Sequence, residues 1–287
     1  MATTEPVTSS AADEVLPDSV RVHVASANTK PVTELCVRSI HRTAGHPFGL
    51  VVGDVGSGDG SLPMLRRLET DGWLRLEVAP SWRQHHEWLD RWVAQCPARY
   101  AVFVDSDVCF VTEGWLSELV AAARSTNAAL VCAQLHQEET GFVHPGSGEV
   151  MRLAARPCAH LLLVDTAQVA GIDASFAPVV VPSSDVPEGY VSYDVAALFF
   201  GELDRAGLGW IEMPAGFSAT FRHFGGMSWR TRKLWPDLWP GWSQARTLTK
   251  IRAAVAWHRL RWGSPSPWYS PPAGASSVPG VVGSRSS

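Results

Sequence analysis

The sequence predicts an α/β protein with a mostly parallel central sheet flanked by helices. In the first half of the 287-residue chain, short apolar segments alternate with helical stretches, a pattern typical of parallel strands joined by crossover helices. The apolar run at 100–104 leads directly into two aspartates, as a buried parallel strand does when it reaches the carboxyl edge of a sheet. The length and the 46% hydrophobic content suffice for such a core.

Each element is assigned from its own pattern. Short apolar runs predict strands, longer stretches with a helical apolar period predict helices, and a glycine after a helical stretch marks its end. Strands are expected near 21–26, 48–53, 73–78, 100–104, 129–134, 159–164, 209–212 and 217–221, and helices near 31–44, 61–70, 84–95, 113–125, 166–171, 193–207 and 243–262.

Two segments are expected to be loops. Residues 135–158 contain Gly, Pro and His with little periodicity. Residues 172–192 contain Pro and Ser clusters, which are typical of a loop that contributes to an active site.

The chain is expected to form one folded domain over residues 20–262, between a disordered leader at 1–19 and a disordered tail at 263–287. The leader has neither a basic start nor an apolar core, so it is not interpreted as a signal peptide. No apolar run approaches the roughly 18 residues of a membrane-spanning helix. The five cysteines are scattered without a metal-binding spacing, which indicates free thiols in a reducing cytoplasm.

The two aspartates after the 100–104 strand are the strongest chemical signal in the chain. In an extended chain the side chains of Asp105 and Asp107 project to the same side, so they can converge on one divalent cation, or on a cation and a ribose. A cation held by carboxylates would suit a diphosphate ligand. The alternative is that the two aspartates only cap the strand at a turn.

A second acidic turn follows the strand at 48–53. Asp54 is followed by glycines at positions 56, 58 and 60, which permit a tight turn with positive φ. A carboxylate at a strand end can accept a hydrogen bond from a ring N–H of a nucleotide base. The spacing matches neither a dinucleotide-binding fingerprint nor a Walker phosphate loop. An ordinary Gly/Asp turn is the alternative.

Three segments together resemble the family-2 glycosyltransferases of the GT-A fold, which are metal-dependent. They are Val-His-Val-Ala-Ser-Ala-Asn at 22–28, the Asp54 turn at 50–61, and Phe-Val-Asp-Ser-Asp-Val at 103–108. The resemblance implies a nucleotide-binding half at 20–134, an acceptor-binding half at 135–262, and a UDP, GDP or dTDP sugar as donor. It implies that the nucleotide contacts Ala25, Ser26, Asn28, Asp54, Asp90, Asp105 and Ser106.

The same resemblance implies a general base at Asp194. In the family a comparable helix begins with Glu-Asp; here Tyr193 replaces the glutamate and Asp194 remains. An inverting transfer needs a carboxylate near the acceptor hydroxyl. Asp194 could instead be only a helix N-cap, and the loop acids Asp173, Asp185 and Glu188 are alternative bases. A retaining enzyme would need no such base.

His223, followed by two glycines, resembles the late histidine that several of these enzymes return to the cation. Imidazole and carboxylates suit Mn2+ or Mg2+ sites. We therefore expect Asp107 and His223 to bind metal directly, with Asp105 assisting through ribose or water. The alternative is an ordinary surface or core histidine.

Residues 222–262 are strongly basic and rich in tryptophan, with nine Lys and Arg residues against one acid. Such a segment, in particular 229–262, could contact an anionic membrane surface at its inner face or hold a phosphorylated acceptor. Its tryptophans could stack on sugar rings, or simply pack the helix onto the sheet. Nucleic acid is not expected as a partner, because the rest of the chain is acidic and has no reader motif.

The expected function is transfer of a sugar from a nucleotide diphosphate donor to the hydroxyl of a glycan, glycolipid or small natural product. Two alternatives share the fold. A sugar-nucleotide-forming nucleotidyltransferase would have a Gly-rich basic loop after the first strand, which residues 25–31 do not match. A non-catalytic carbohydrate-binding protein would not need both carboxylates and His223.

Overall fold

The structure is a computed structural model that describes residues 19–79, 84–137, 139–172, 175–182, 190–193, 195–225, 240–261 and 263–272. The described strands are β1 (Val20–Ser26), β2 (Gly49–Asp54), β3 (Arg75–Val78), β4 (Tyr100–Asp105), β5 (Val108–Phe110), β6 (Leu130–Cys132), β7 (Leu135–His136), β8 (Thr140–Val143), β9 (Val150–Leu153), β10 (Arg156–Pro157), β11 (Leu161–Asp165), β12 (Val179–Pro182), β13 (Tyr190–Tyr193), β14 (Trp210–Glu212) and β15 (Phe221–His223). The described α-helices are α1 (Lys30–Thr43), α2 (Ser61–Thr70), α3 (His85–Gln95), α4 (Trp115–Thr126), α5 (Thr166–Val169), α6 (Ala197–Arg205) and α7 (Pro240–Arg261).

Seven strands form the central sheet, in the order β14-β6-β11-β4-β1-β2-β3. β1 pairs in parallel with both β2 and β4, β2 with β3, and β14 with β6. Only β11 runs against its two neighbours among these pairings. The predicted α/β class with a mostly parallel sheet is therefore confirmed.

Both faces of the sheet are buried around β4, which explains why this strand is apolar along its length. On β4, Val102 and Val104 face one core, together with α1, α2 and α4. Ala101 and Phe103 alternate with them and face a second core, together with α3 and α6. Because neither face of β4 meets water, its polar residues are confined to the carboxyl end, where Asp105 lies.

The prediction that residues 135–158 form a loop is wrong in part. β8 and β9 form an antiparallel hairpin, and β7 pairs with β10. Buried Phe142 and Met151 pack this hairpin against α6 at Gly201, where a Cβ atom would lie 2.6 Å from Met151 Cε. The alternation of exposed and buried residues over β9 is a strand signal that the Gly and Pro residues obscured in the sequence.

Three further assignments differ from the structure. The predicted loop at 172–192 contains β12 and β13, which pair with each other. The predicted strand at 217–221 is mostly a 3-10 helix over Ala215–Thr220, and the strand begins only at Phe221. The helix predicted from 193 begins at Ala197, after β13 has ended.

The carboxyl-terminal region packs back on the domain. The predicted disordered tail from 263 differs from the structure over residues 263–272, which lie against the loop that precedes β2. Phe48 N donates to Trp268 O, and Ser270 N donates to Phe48 O, both at 2.9 Å. The ring of Tyr269 packs against His41 and Phe48.

Glu34, on α1, fixes α7 in place. Its side chain is buried and accepts hydrogen bonds from Arg38 on its own helix and from two guanidinium nitrogens of Arg259 on α7. Burial alone would raise the pKa of Glu34, but the hydrogen bonds from Arg259 and Arg38 outweigh it and hold that pKa below its ordinary value. The carboxylate therefore stays ionised at neutral pH and joins the two helices.

Within the parts of the chain that the structure describes, no helix combines the length and the apolar character needed to cross a membrane.

Replacing Glu34 with Gln is expected to lower the free energy of unfolding by about 2 kcal/mol, because two arginines lose their shared buried anion. Urea unfolding followed by circular dichroism measures this change. Glu118→Gln, at an exposed position on α4, is the matched control and should change stability by less than about 0.5 kcal/mol. An equal effect of both variants would contradict the role given to Glu34.

Candidate active site

Asp105, Asp107 and His223 form one compact group of side chains. His223 Nε2 lies 3.1 Å from Asp107 Oδ1 and 3.8 Å from Asp105 Oδ2. One donor atom from each of the three residues lies within 4.8 Å of the others. Residues far apart in the sequence thus meet at the carboxyl end of β4, as the sequence predicted for this edge of the sheet.

The backbone explains why His223 reaches this place. β15 pairs with β5 antiparallel, so that His223 lies opposite Val108, the residue after Asp107. Phe224 N then donates to Asp107 O at 3.0 Å. On the other side, Asp105 N donates to His160 O at 3.0 Å. Backbone hydrogen bonds on both sides therefore hold the two aspartates in place and fix the direction of their side chains.

The electrostatics of the group favour a bound cation or proton. The hydrogen bond that the His223 ring donates to Asp107 raises the pKa of His223 against the opposing effect of burial, and the charge of Asp105 adds to the increase. The side chains of Asp105 and His223 remain about one-third exposed, whereas that of Asp107 is mostly buried. The group is thus a pocket of negative potential that a ligand can reach from solvent.

The donor set fits a divalent cation of the Mn2+ or Mg2+ type. Two carboxylates and one imidazole suit such ions, which also accept phosphate oxygens and water. The three residues can supply only part of an octahedral set. The remaining positions would be available to water or to other oxygen ligands.

His160 is a neighbour that the sequence analysis missed. Its ring stacks on that of His223, with 4.7 Å between centroids and an interplanar angle of 19°. Burial, followed by the charge of His223, lowers the pKa of His160 to about 4, so the ring is neutral at pH 7. It came to this site because β11 runs antiparallel beside β4, and a sequence pattern does not show that direction.

His85, the first residue of α3, is a second missed neighbour. Its Nε2 lies 3.8 Å from Asp105 Oδ1. Asp90, on the same helix, is the residue that the resemblance assigned to the nucleotide pocket.

Asp90 has other partners in the structure. Its Oδ1 accepts from Phe176 N at 2.6 Å, and its Oδ2 accepts from Ser175 Oγ at 2.7 Å. Both carboxylate oxygens thus hold the segment that leads into β12. A nucleotide contact by Asp90 stays a prediction, and the geometry gives this residue a loop-anchoring role.

The turns after β1 and β2 are locked together by hydrogen bonds. Asn28 N donates to Ser57 Oγ at 2.9 Å, and Gly58 N donates to Asn28 Oδ1 at 2.8 Å. Lys30 N donates to Asp59 Oδ2 at 2.9 Å. Asn28 adopts positive φ, a conformation that asparagine tolerates better than most residues. The two turns therefore form one rigid unit at the carboxyl edge.

Asp54 organises its own turn. Its Oδ1 accepts from Gly56 N and Ser57 N, both at 3.0 Å, and its Oδ2 accepts from Ser57 Oγ at 2.7 Å. The residue is fully buried. The base-reading role implied by the resemblance stays a prediction, and it would require this carboxylate to become accessible to the base.

The other predicted nucleotide contacts line the same edge. Ser26 is buried at the end of β1, where its Oγ lies 3.3 Å from Thr33 Oγ1, while Ala25 is half-buried. Ser106 Oγ lies 3.1 Å from Thr29 Oγ1. This last contact connects the start of α1 to the turn between the two aspartates.

The predicted base Asp194 lies outside the described residues, as do the alternative bases Asp173, Asp185 and Glu188. The interpretation of Asp194 as a helix N-cap does not hold, because Ala196 occupies that position of α6.

A family model described as Glycosyl transferase family 2 matches residues 22–178. The chain belongs to this family. The match covers β1 to β4, the Asp54 turn and both aspartates, so the resemblance seen in the sequence is confirmed. His223 and α7 lie beyond the matched residues.

Solved structures provide a weaker comparison with this family-2 glycosyltransferase. Staphylococcus aureus TarS 1-349 is 15% identical with a TM-score of 0.42, and the match covers 55% of this chain and 50% of that one. The chain thus spans about half the length of the TarS chain. The mannosyltransferase PcManGT from Pyrobaculum calidifontis, in complex with GDP-Man and Mn2+, is 15% identical with a TM-score of 0.44, covering 87% and 90% of the two chains. A search of curated proteins found no match.

Replacing His223 with Ala is expected to weaken Mn2+ binding by at least about tenfold, since one of three grouped donors is lost. Asp107→Asn should do the same. Isothermal titration calorimetry with Mn2+ measures the affinity. His46→Ala is the matched control, because His46 bonds only to the neighbouring Pro47 carbonyl in its described contacts. Unchanged Mn2+ affinity in both site variants would exclude a metal from this group.

Proposed function

We propose that the protein is a metal-dependent glycosyltransferase that transfers a sugar from a nucleotide diphosphate donor to an acceptor hydroxyl with inversion of configuration. The observation that carries the proposal is the convergence of Asp105, Asp107 and His223 on one point at the carboxyl edge of the sheet. Membership of the family supports the donor class. The alternatives of a nucleotidyltransferase and a non-catalytic binding protein receive no support from it.

Asp107 and His223 would hold Mn2+ or Mg2+ directly, and Asp105 would assist through the ribose or a water molecule. Such an ion supplies Lewis-acid stabilisation of the diphosphate leaving group. The residues of the chain have a separate task. The β4 and β15 backbone ladders fix the two aspartates and the histidine before a donor arrives, so little ordering is required on binding.

The nucleotide of the donor would lie on the locked turns of Asn28 and Asp54, in the proposed nucleotide-binding half at 20–134. Ala25, Ser26, Asp90 and Ser106 remain proposed contacts, and His85 joins them because it lies beside Asp105. We propose a UDP, GDP or dTDP sugar.

The acceptor would bind in the proposed half at 135–262. We propose Asp194 as the base that takes the proton of the acceptor hydroxyl, since residue 194 directly follows β13 and precedes α6. The acceptor would be a glycan, a glycolipid or a small natural product. A cytoplasmic location is supported by the five free cysteines, four of which are buried.

The proposal is tested first by a thermal-shift screen of uridine, guanosine and thymidine diphosphate sugars with and without Mn2+. One base series should raise the melting temperature, and only when Mn2+ is present, because a ligand that binds only the native state stabilises it. A shift of equal size without Mn2+ would contradict the metal dependence, and no shift in any series would contradict the proposed donor site.

Asp194→Asn should keep the thermal shift of the donor but lower the rate of sugar transfer by at least about a hundredfold. Asp204→Asn, at an exposed position of α6, is the matched control and should transfer at the wild-type rate. NMR of the product gives the anomeric configuration. Transfer by Asp194→Asn at the wild-type rate would assign the base to another residue, and a retained configuration would exclude inversion.

A further inference from the structure

Helix α7 has a buried face that accounts for its contact with the domain. Ile251, Val255 and His258 are buried and follow a helical period. Ile251 and Val255 pack with Val32 and Leu35 of α1. Together with the ion pair between Arg259 and Glu34, this face is sufficient to hold the helix in place.

The opposite face of α7 carries exposed apolar side chains. At about 100° per residue, Thr249, Ala253, Ala256, Trp257 and Leu260 point away from the buried face, and all five are exposed. Leu260 is 87% exposed and Trp257 is 54% exposed. Large apolar side chains grouped on an outward face are unusual for a surface that meets only water. We call these five residues the outer strip.

Cationic side chains border the outer strip. On the helical wheel, Lys250 and Arg261 lie along one side of the outer strip, and Arg252 lies on the other. Arg246 falls within the angular range of the strip, one turn before Thr249. Helix α7 contains no acidic residue over Pro240–Arg261. The guanidinium of Arg261 lies over the Trp257 ring at 5.5 Å. An apolar centre with basic edges is the arrangement of helices that lie in the surface of an anionic bilayer.

The surface continues into the segment after α7. Trp268 is 49% exposed, and with Arg42 and Arg261 it lines a cavity of about 420 Å3 that Ser264 and Ser266 also border. Glu113 is the acidic residue of the lining. Hydroxyl and guanidinium groups together suit a phosphate-bearing headgroup.

We propose that the outer strip, its bordering cations and Trp268 form a docking surface for an anionic lipid membrane. A protein partner fits less well, because a strip of five residues on one helix is far smaller than the roughly 800 Å² that each partner of a stable complex buries. A bilayer needs only a few inserted side chains and a field of positive charge.

Docking through the outer strip would bring the carboxyl edge of the sheet, with the proposed metal ligands, near the lipid. Phe224, which follows His223, packs against the cluster that contains Ile251 and Val32. The helix thus passes close to the proposed metal ligands, although it shares no residue with them. The inference is independent of the proposed reaction, since vesicle binding is measured without donor or acceptor.

Co-sedimentation of the full chain with vesicles tests the proposal. Vesicles that contain phosphatidylserine should bind the protein, added salt should weaken the binding, and vesicles of phosphatidylcholine alone should not bind it. Lys250→Glu should weaken binding by at least about fivefold, because each cation near an anionic surface contributes roughly 1 kcal/mol. Leu260→Glu should weaken binding by about tenfold or more, since an inserted leucine is lost.

Matched variants control for charge and for folding. Arg66→Glu, at an exposed position of α2, is the control for Lys250→Glu. Val150→Glu, at a residue of β9 that is 64% exposed, is the control for Leu260→Glu. Both controls should bind vesicles as the wild type does, and all variants should keep the wild-type melting temperature. No binding of the wild type to phosphatidylserine vesicles would overturn the proposal, as would equal losses in the controls.

Sedimentation velocity of the same proteins tests the remaining alternative, in which a second copy of the chain covers the outer strip. A dimer of the wild type that Leu260→Glu dissociates, without vesicle binding, would assign the outer strip to self-association and overturn the membrane proposal.

Discussion

The pairing of β5 with β15 is the interaction on which the candidate site depends. β5 leaves the sheet directly after the two aspartates, and β15 returns from the far part of the chain to lie against it. Buried Phe110 and Phe221 are opposite one another in this pair and belong to the main core. Burial of these rings therefore fixes the register, and the register places His223 beside Asp107. A slip of one residue would turn the imidazole to the other face.

A second constraint joins α7 to α1. Glu34 is a buried anion on α1, and its ion pair with Arg259 fixes the position of α7. The buried face of α7 thereby makes its contacts with α1. The residues of the outer strip are exposed on the other side of α7, so the same helix can serve both the fold and a surface.

The sequence predicted the parts of the site that depend on local pattern. The apolar strand before Asp105 and the Gly-rich turn after Asp54 carry their own signals, so both were placed at the carboxyl edge. His223 was identified only by resemblance, since its position depends on a non-local strand pair. His160 and His85 were missed because the direction of β11 and the start of α3 beside Asp105 depend on tertiary packing. Asp90 was assigned to the nucleotide, whereas its carboxylate holds the segment before β12.

The central claim is that Asp107 and His223 hold one cation that also meets the diphosphate. Pulsed electron paramagnetic resonance of Mn2+ bound to the protein with a nucleoside diphosphate tests it most directly, because it detects nitrogen and phosphorus nuclei near the ion. The account predicts coupling to one imidazole nitrogen and to phosphorus, with the nitrogen signal absent in His223→Ala. Phosphorus coupling without any nitrogen coupling in the wild type would contradict it.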